Sequence, residues 1–237
     1  MQLAYGDSLV EFSLPAGVEW QTLDRSPADD RPAASLSAAV DDLVNQLSAR
    51  RLANQSRLLL IIPDHTRRCR VHDILRALLP ALEQRFQPRI DLLIANGSHV
   101  LQPESTIREL VGADLYDAYP VRQHDSRNAA ALDYWGMTSY GTPIYLNEKV
   151  KHADFILTIG GVLYHYFAGF GGGAKILLPG VAGYETVRIN HRRTVDEVTA
   201  AMHSGCREGG LDGNPVFADL SEVVALLPDA LSLQVVL

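Results

Sequence analysis

The hydrophobic residues of this chain follow two patterns, one typical of strands and one typical of helices. Short, mostly continuous apolar runs, as expected of parallel strands buried on both faces, occupy 57–62, 90–95 and 155–159. Apolar residues recur at helical spacing in 35–53, where Ser35 is the expected cap, and in 71–87. The repeat of strand, polar loop and helix predicts an α/β fold with an open, mostly parallel sheet and flanking helices, a Rossmann-like three-layer arrangement.

The remaining segments complete this prediction as one α/β domain over 1–237. Alternation around Gly6-Asp7 predicts an N-terminal β-hairpin over 2–14, followed by a polar connection at 24–32. The further expected elements are a Pro103-initiated helix, a short strand at 121–125, an inserted hairpin at 134–146 with its turn near Tyr140-Gly141, a helix continuing beyond His191 to about Met202, a helix from Pro215 and a last strand at 231–236.

Three polar loops follow predicted strands, at 63–67, 96–99 and 160–175. In open α/β sheets the ligand crevice lies beyond the carboxyl ends of the strands. The loops are therefore expected to meet at one edge of the sheet and to form the functional site.

Composition narrows the class of partner. The 237 residues carry a net charge of −7, whereas nucleic acids and anionic membranes attract cationic surfaces. Two cysteines, Cys69 and Cys206, are too few for a disulfide scaffold and favour a reducing compartment. Because there is also no signal-peptide pattern and no membrane-length apolar run, we expect a cytoplasmic protein that binds neither nucleic acid nor membrane.

The third loop combines glycines with a lysine. Gly171, Gly172 and Gly173 precede Lys175 closely, and glycine lets a backbone approach a ligand because it has no Cβ. The segment is not a Walker A motif, because Ala174 precedes the lysine and Ile176 follows it. A ligand-binding loop and a glycine-rich turn with a solvated lysine remain alternatives.

The other two loops carry groups suited to nucleotide binding and proton transfer. Asp64, His65, Thr66 and Arg67 offer the groups that bind phosphate and sugar hydroxyls, although an N-cap with an ion pair is an equal alternative. His99, and likewise His165 in the third loop, is either an ordinary surface residue or a general acid/base.

His191 is expected on a helix and is either structural or a metal ligand. The sequence contains no HExxH motif and no Cys/His cluster that would form a zinc site by itself. A metal at His191 would therefore need most of its ligands from outside the protein.

Four motifs in this order strongly resemble the N-terminal domain of the lactate racemase family of nickel-pincer-nucleotide enzymes. They are DHTR (64–67), ANGSH (95–99), HYFAGFGGGAK (165–175) and LPGVAGYETVRINH (178–191). The opening LAYGDSLVEFSLP is also similar to the hairpin of that family, so the resemblance covers nearly the whole chain.

The resemblance implies a cofactor, a reaction and a role for each motif. The cofactor would be a pyridinium mononucleotide that holds nickel through sulfur, carbon and sulfur and is bound covalently to Lys175 through a thioamide. His191 would be the remaining nickel ligand, and 64–67 would contact the nucleotide. The reaction would be racemisation or epimerisation of a 2-hydroxy acid by reversible hydride transfer, with His99 and His165 as the two acid/bases.

The sequence departs from the pattern of this family in two ways. Arg68 and Cys69 follow DHTR where the family commonly has proline, and the sequence ends at Leu237, about where the first of the family's two domains ends. The expected partners are a small 2-hydroxy acid, the enzymes of cofactor biosynthesis, and either a second copy of the chain or a separate C-terminal domain. A non-catalytic nucleotide- or cofactor-binding module, and a zinc-dependent hydrolase using His99, His165 and His191, are the alternative functions.

Overall fold

The structure, a computed structural model, describes residues 2–5, 8–11, 35–50, 52–67, 69–227 and 230–236. Contacts divide the chain into two compact units, 1–34 and 35–237. In the first unit, β1 (Gln2–Tyr5) and β2 (Ser8–Glu11) pair antiparallel, which confirms the predicted hairpin. The Gly6-Asp7 turn and the connection at 24–32 lie outside the described residues.

The second unit alternates strands and helices. Its strands are β3 (Arg57–Pro63), β4 (Arg89–Ala95), β5 (Val121–Gln123), β6 (Leu132–Met137), β7 (Pro143–Asn147), β8 (Phe155–Val162), β9 (Tyr164–His165), β10 (Gly169–Phe170) and β11 (Ala230–Val236). Its helices are α1 (Leu36–Ala49), α2 (Val71–Phe86), α3 (Glu104–Val111), α4 (Ala113–Ala118), α5 (Glu148–His152), α6 (Tyr184–Arg192) and α7 (Pro215–Ala225). None of these helices, within the described ranges, is long and apolar enough to cross a membrane.

Five strands form a parallel sheet in the order β11-β8-β3-β4-β5. Successive side chains of β3 point to opposite faces, so Leu58 and Leu60 join one hydrophobic core while Leu59 and Ile61 join the other. Helices α1 and α2 cover the first face, and α5, α6 and α7 contribute to the second. The predicted three-layer α/β fold is therefore confirmed, and burial on both faces explains the continuous apolar runs.

The structure confirms two local predictions, the Ser35 cap of α1 and the inserted hairpin. The Ser35 hydroxyl accepts a hydrogen bond from the Ala38 amide at 3.2 Å and so caps α1, as expected. The inserted hairpin is β6 and β7, which pair antiparallel. At its turn the Gly141 amide donates to the Thr138 carbonyl, and Gly141 has a φ of +79° that favours glycine.

The prediction of a helix from His191 to about Met202 is wrong beyond Arg192, where α6 ends. Asp196 provides the physical reason, because its carboxylate accepts from the backbone amides of Val198 and Thr199, both at 2.9 Å. Aspartate competes with helical hydrogen bonding in this way and favours a turn.

Candidate functional site

The loops that follow β3, β4 and β8 meet in one pocket at the carboxyl edge of the sheet, as the sequence predicted. Seven of the predicted site residues line this pocket: Asp64, Arg67, His99, His165, Gly171, Gly172 and Lys175. Four others do not line it: His65, Thr66, Gly173 and His191. Convergence follows from the topology, because β8, β3 and β4 are neighbours and run parallel.

Asp64 and His99 form a pair across two of the loops. Asp64 is only 2 % exposed, and its Oδ2 lies 2.5 Å from His99 Nδ1. Thr66 does not reach the pocket but holds the other carboxylate oxygen, since its hydroxyl and its amide donate to Oδ1 at 2.6 and 3.1 Å. The carboxylate therefore fixes the imidazole with Nδ1 as donor and leaves Nε2 available to a ligand.

Arg67 brings positive charge to the same pocket. Its amide donates to the Asp64 carbonyl at 3.1 Å, which closes a tight turn after β3. Within the described ranges no carboxylate pairs with its guanidinium. The side chain is exposed and can bind an anionic group bidentately. His65, also exposed, lies outside the pocket.

His165 and Lys175 are hydrogen-bonded across the third loop, with Nζ 3.2 Å from Nε2. The amides of Phe167 and Ala168 donate to Nδ1 of His165, at 3.4 and 3.2 Å, so this hydrogen-bond network assigns the ring proton to Nε2. A protonated Nε2 needs an acceptor, and a lysine amine is an acceptor only when neutral. The arrangement thus stabilises the uncharged form of Lys175 relative to that of a solvated lysine.

The electrostatic surroundings of His165 and Lys175 also favour the uncharged form of each side chain. Burial, followed by the charge of Arg67, lowers the pKa of Lys175 to about 8. Burial also lowers the pKa of His165 to about 4, with further contributions from Lys175, Arg67 and His191. At neutral pH the imidazole is uncharged, and about a tenth of the lysine is a nucleophilic free amine, far more than for a solvated lysine.

We therefore expect Lys175 to react with a small acylating reagent along a pH profile with its midpoint near 8, below the ordinary lysine value of 10.5. The chain has only two other lysines, Lys149 and Lys151, which serve as internal references for the reagent. Peptide mass spectrometry after timed labelling at several pH values gives the profile directly. A midpoint at or above 10 would contradict the buried, charge-perturbed environment.

His191 lies on α6 next to this pair without lining the pocket itself. Its ring packs edge-on against Phe167 at 4.9 Å between centroids, and its Nδ1 is buried with no hydrogen-bond partner among the described residues. Burial and the charge of Lys175 lower its pKa to about 4, against an opposing effect of the Val187 carbonyl. A neutral imidazole with an unsatisfied buried nitrogen is suited to coordinate a metal.

The helix that carries His191 is held by a buried polar cluster around Asp219 of α7. Asn190 and Arg193, on either side of His191 in the sequence, donate to Asp219 Oδ2 at 2.9 and 3.1 Å. Thr138 and Thr142 of the inserted hairpin also donate to this carboxylate, at 2.5 and 2.7 Å. Asp219 is fully buried, so the cluster fixes the position of α6.

Residues 171–173 of the third loop, called the glycine loop from here on, contain glycine for packing reasons that the sequence did not reveal. A Cβ on Gly172, where φ is +70°, would lie 2.5 Å from Gln234 Oε1 and 2.7 Å from the Gly161 carbonyl oxygen. Gly173, with a φ of +48°, faces open space. Sequence reasoning missed Gln234 because it lies 61 residues beyond Gly173, and only strand pairing brings it to the loop.

Comparisons with known proteins point to one family. The model of the lactate racemase N-terminal domain matches residues 5–203. Lactate racemase of Thermoanaerobacterium thermosaccharolyticum is 27 % identical over 230 residues, which cover 93 % of this chain and 52 % of that protein. Lactate racemase of Lactiplantibacillus plantarum is 35 % identical over 138 residues, 56 % of this chain and 32 % of that protein.

Solved structures agree in fold. The lactate racemase apoprotein of T. thermosaccharolyticum superposes with a TM-score of 0.81 and 25 % identity over all of this chain and 55 % of its own. A protein of Thermotoga maritima superposes with a TM-score of 0.70 over 85 % of this chain and 51 % of its own, but at 20 % identity it supports the fold alone. The chain spans about half the length of the first of these curated relatives.

Proposed function

The chain belongs to the family of lactate racemase N-terminal domains, and from this premise we propose that it is the cofactor-binding part of a racemase or epimerase of a 2-hydroxy acid. The proposed cofactor is a nickel-pincer nucleotide, attached covalently to Lys175 and ligated at nickel by His191. When bound, this cofactor would supply a reversible hydride acceptor for the hydroxyl-bearing carbon of the substrate. The activity is proposed for the whole natural protein, since the chain spans about half of its relatives.

The observation that carries the proposal is the environment of Lys175. An amine must be neutral to form an amide-type bond, and burial together with Arg67 lowers the pKa of Lys175 to about 8. The hydrogen bond to His165 Nε2 favours the same neutral form. Lys175 is therefore prepared for covalent attachment, which a solvated surface lysine is not.

The residues present also fit a metal held mostly by the cofactor. No group of three or more His, Cys, Asp or Glu in the described part of the chain is arranged to hold a metal ion. Among the described residues His191 Nδ1 is buried and has no hydrogen-bond partner, and the charge of Lys175 acts on this imidazole. A cofactor that brings its own donors needs this single ligand from the protein.

We assign the transfer of the substrate hydroxyl proton to the two pocket histidines, His99 and His165. In His99, the Asp64 carboxylate holds Nδ1, so Nε2 is the atom that takes up or returns a proton. The carboxylate also stabilises the imidazolium that forms, as the aspartate of a catalytic triad does. Asp64 therefore acts here as a positioning residue, in addition to the nucleotide contact expected from the DHTR motif.

The electrostatic surroundings of His165 are opposite to those of His99, because its charged neighbours are cationic. The charge of Lys175 contributes to holding its pKa near 4. Acylation of Lys175 would remove that charge and the hydrogen bond to Nε2. Attachment of the cofactor is therefore expected to raise the proton affinity of His165 and to free Nε2 for the substrate.

Replacing His191 by alanine is expected to weaken nickel binding by more than about 100-fold while the adduct on Lys175 persists. The reason is that the substitution removes the only proposed protein ligand but leaves the lysine and its loop intact. Metal analysis and intact mass of protein coexpressed with the cofactor-synthesising enzymes measure both effects. His152→Ala, at an exposed position on α5, is the matched control, and full nickel content in His191→Ala would refute the ligand assignment.

A further inference from the structure

The glycine loop is held by a side chain from the last strand of the sheet. Gln234 lies on β11 opposite Gly160 of β8, in the parallel register of the two strands. Its Oε1 accepts a hydrogen bond from the Gly173 amide at 2.8 Å. The family match ends at residue 203, so this contact comes from outside the matched segment.

The orientation of the Gln234 carboxamide is fixed at its other end. Its Nε2 donates to the hydroxyl of Ser232, which lies on the same face of β11 two residues earlier. That hydroxyl in turn pairs with the Thr158 hydroxyl at 2.7 Å. With Nε2 engaged in this way, Oε1 is the end of the amide that faces Gly173.

Two glycines make the space that this carboxamide occupies. A Cβ on Gly160 would lie 2.7 Å from Gln234 Oε1, and one on Gly172 would lie 2.5 Å from the same atom. Real Cβ contacts are essentially never this short, so any side chain at either position would displace the carboxamide. The glycines at 160 and 172 therefore form a slot for Gln234.

The Gly173 amide, which donates to Gln234, lies only two residues before Lys175. Gly173 begins the short 3-10 turn Gly173–Ile176, which contains the lysine, and the Lys175 amide donates to the Gly172 carbonyl at 2.9 Å. We propose that Gln234 is a positioning residue for Lys175, which it holds opposite His165 by anchoring the glycine loop to β11. This inference rests on the proposed role of Lys175 as the attachment point of the cofactor.

The test uses the chain without cofactor and measures two quantities. One is the hydrogen-exchange rate of the Gly173 amide, and the other is the ratio of acylation rates at Lys175 and Lys149 at pH 7.5. In Gln234→Ala, Gly173 exchange should accelerate by about tenfold, as expected for the loss of one hydrogen bond. The labelling ratio should fall by about threefold or more, because a released, hydrated lysine is protonated to a greater extent.

Two further variants separate positioning from general destabilisation of β11. Gln234→Glu keeps an acceptor oxygen and should restore slow Gly173 exchange. Ser232→Ala removes the contact at Gln234 Nε2 but keeps the oxygen that accepts from the Gly173 amide, so it should change exchange less than Gln234→Ala does.

Gly160→Ala disturbs the same contact from the opposite strand, because its φ lies outside the left-handed region and its Cβ would displace the carboxamide. That Cβ would also lie 3.1 Å from Gly172 Cα, which moves the loop by a few tenths of an ångström at most. It should reproduce the effects of Gln234→Ala and add little to them in the double variant. It also replaces Gln234→Ala in the test if that variant does not fold.

An unchanged Gly173 exchange rate or an unchanged labelling ratio in Gln234→Ala, or in Gly160→Ala where it takes the place of that variant, would overturn the proposal. Because no cofactor enters the experiment, a lysine that never acquires the cofactor would count against the proposed function alone.

Discussion

Replacing His99 or His165 by glutamine is expected to lower the rate of racemisation by about 10²–10⁴-fold in both directions, which is the usual contribution of a general acid/base. Each full conversion needs both histidines, because one takes the hydroxyl proton from the first enantiomer and the other returns a proton to form the second. Glutamine keeps a hydrogen-bonding side chain of similar reach but cannot transfer a proton. Circular dichroism of the 2-hydroxy acid, with the full-length natural protein loaded with cofactor, measures the rate.

A half-reaction distinguishes the two histidines from each other. Oxidation of a single enantiomer to the 2-keto acid needs only the base on its own side of the pocket. The His99 variant should therefore oxidise one enantiomer in a single turnover, and the His165 variant the other. Asp64→Asn should slow the same enantiomer as His99→Gln, because it weakens the contact that orients His99. Normal rates in both directions for either histidine variant would refute the two-base assignment.

Replacing Lys175 by arginine is expected to abolish retention of the cofactor and of nickel, and with them the activity. Arginine preserves the positive charge and a similar length. Its guanidinium stays protonated at neutral pH, however, and therefore forms no thioamide. Nickel content after extensive dialysis, together with racemisation, gives the result. Lys149→Arg is the matched control, because it makes the same substitution at another of the three lysines of the chain. Full nickel and activity in Lys175→Arg would exclude a covalent role for this lysine.

The sequence predicted the sheet well because each buried strand is marked by a continuous apolar run. The runs at 57–62, 90–95 and 155–159 are apolar on both faces, which parallel strands between two helical layers require. Because the strands are parallel, the polar residues that follow them lie at the same edge of the sheet, where the strands end. For that reason the position of Asp64, His99 and Lys175 in one pocket could be predicted without any knowledge of side-chain contacts.

The details that the sequence did not reveal depend on distances and on competing local interactions. The contact of Asp64 with His99 spans 35 residues and is settled by side-chain geometry at the pocket. The early end of α6 reflects the Asp196 turn, which competes with a helical pattern that otherwise continues. Gln234 reaches the glycine loop only because the register of β11 on β8 places it opposite Gly160.

The mass of the peptide that contains Lys175 shows whether this lysine carries the cofactor. The chain is coexpressed with the enzymes of nickel-pincer-nucleotide biosynthesis, purified without reductive or acidic steps, and digested, with Lys149 and Lys151 peptides as internal controls. Of the three lysines, Lys175 alone should carry the mass of the cofactor, and nickel should accompany it in equal amount. An unmodified Lys175, from cells in which a lactate racemase is loaded with the cofactor, would refute covalent attachment at this lysine. Stoichiometric zinc in that protein would favour a hydrolase instead.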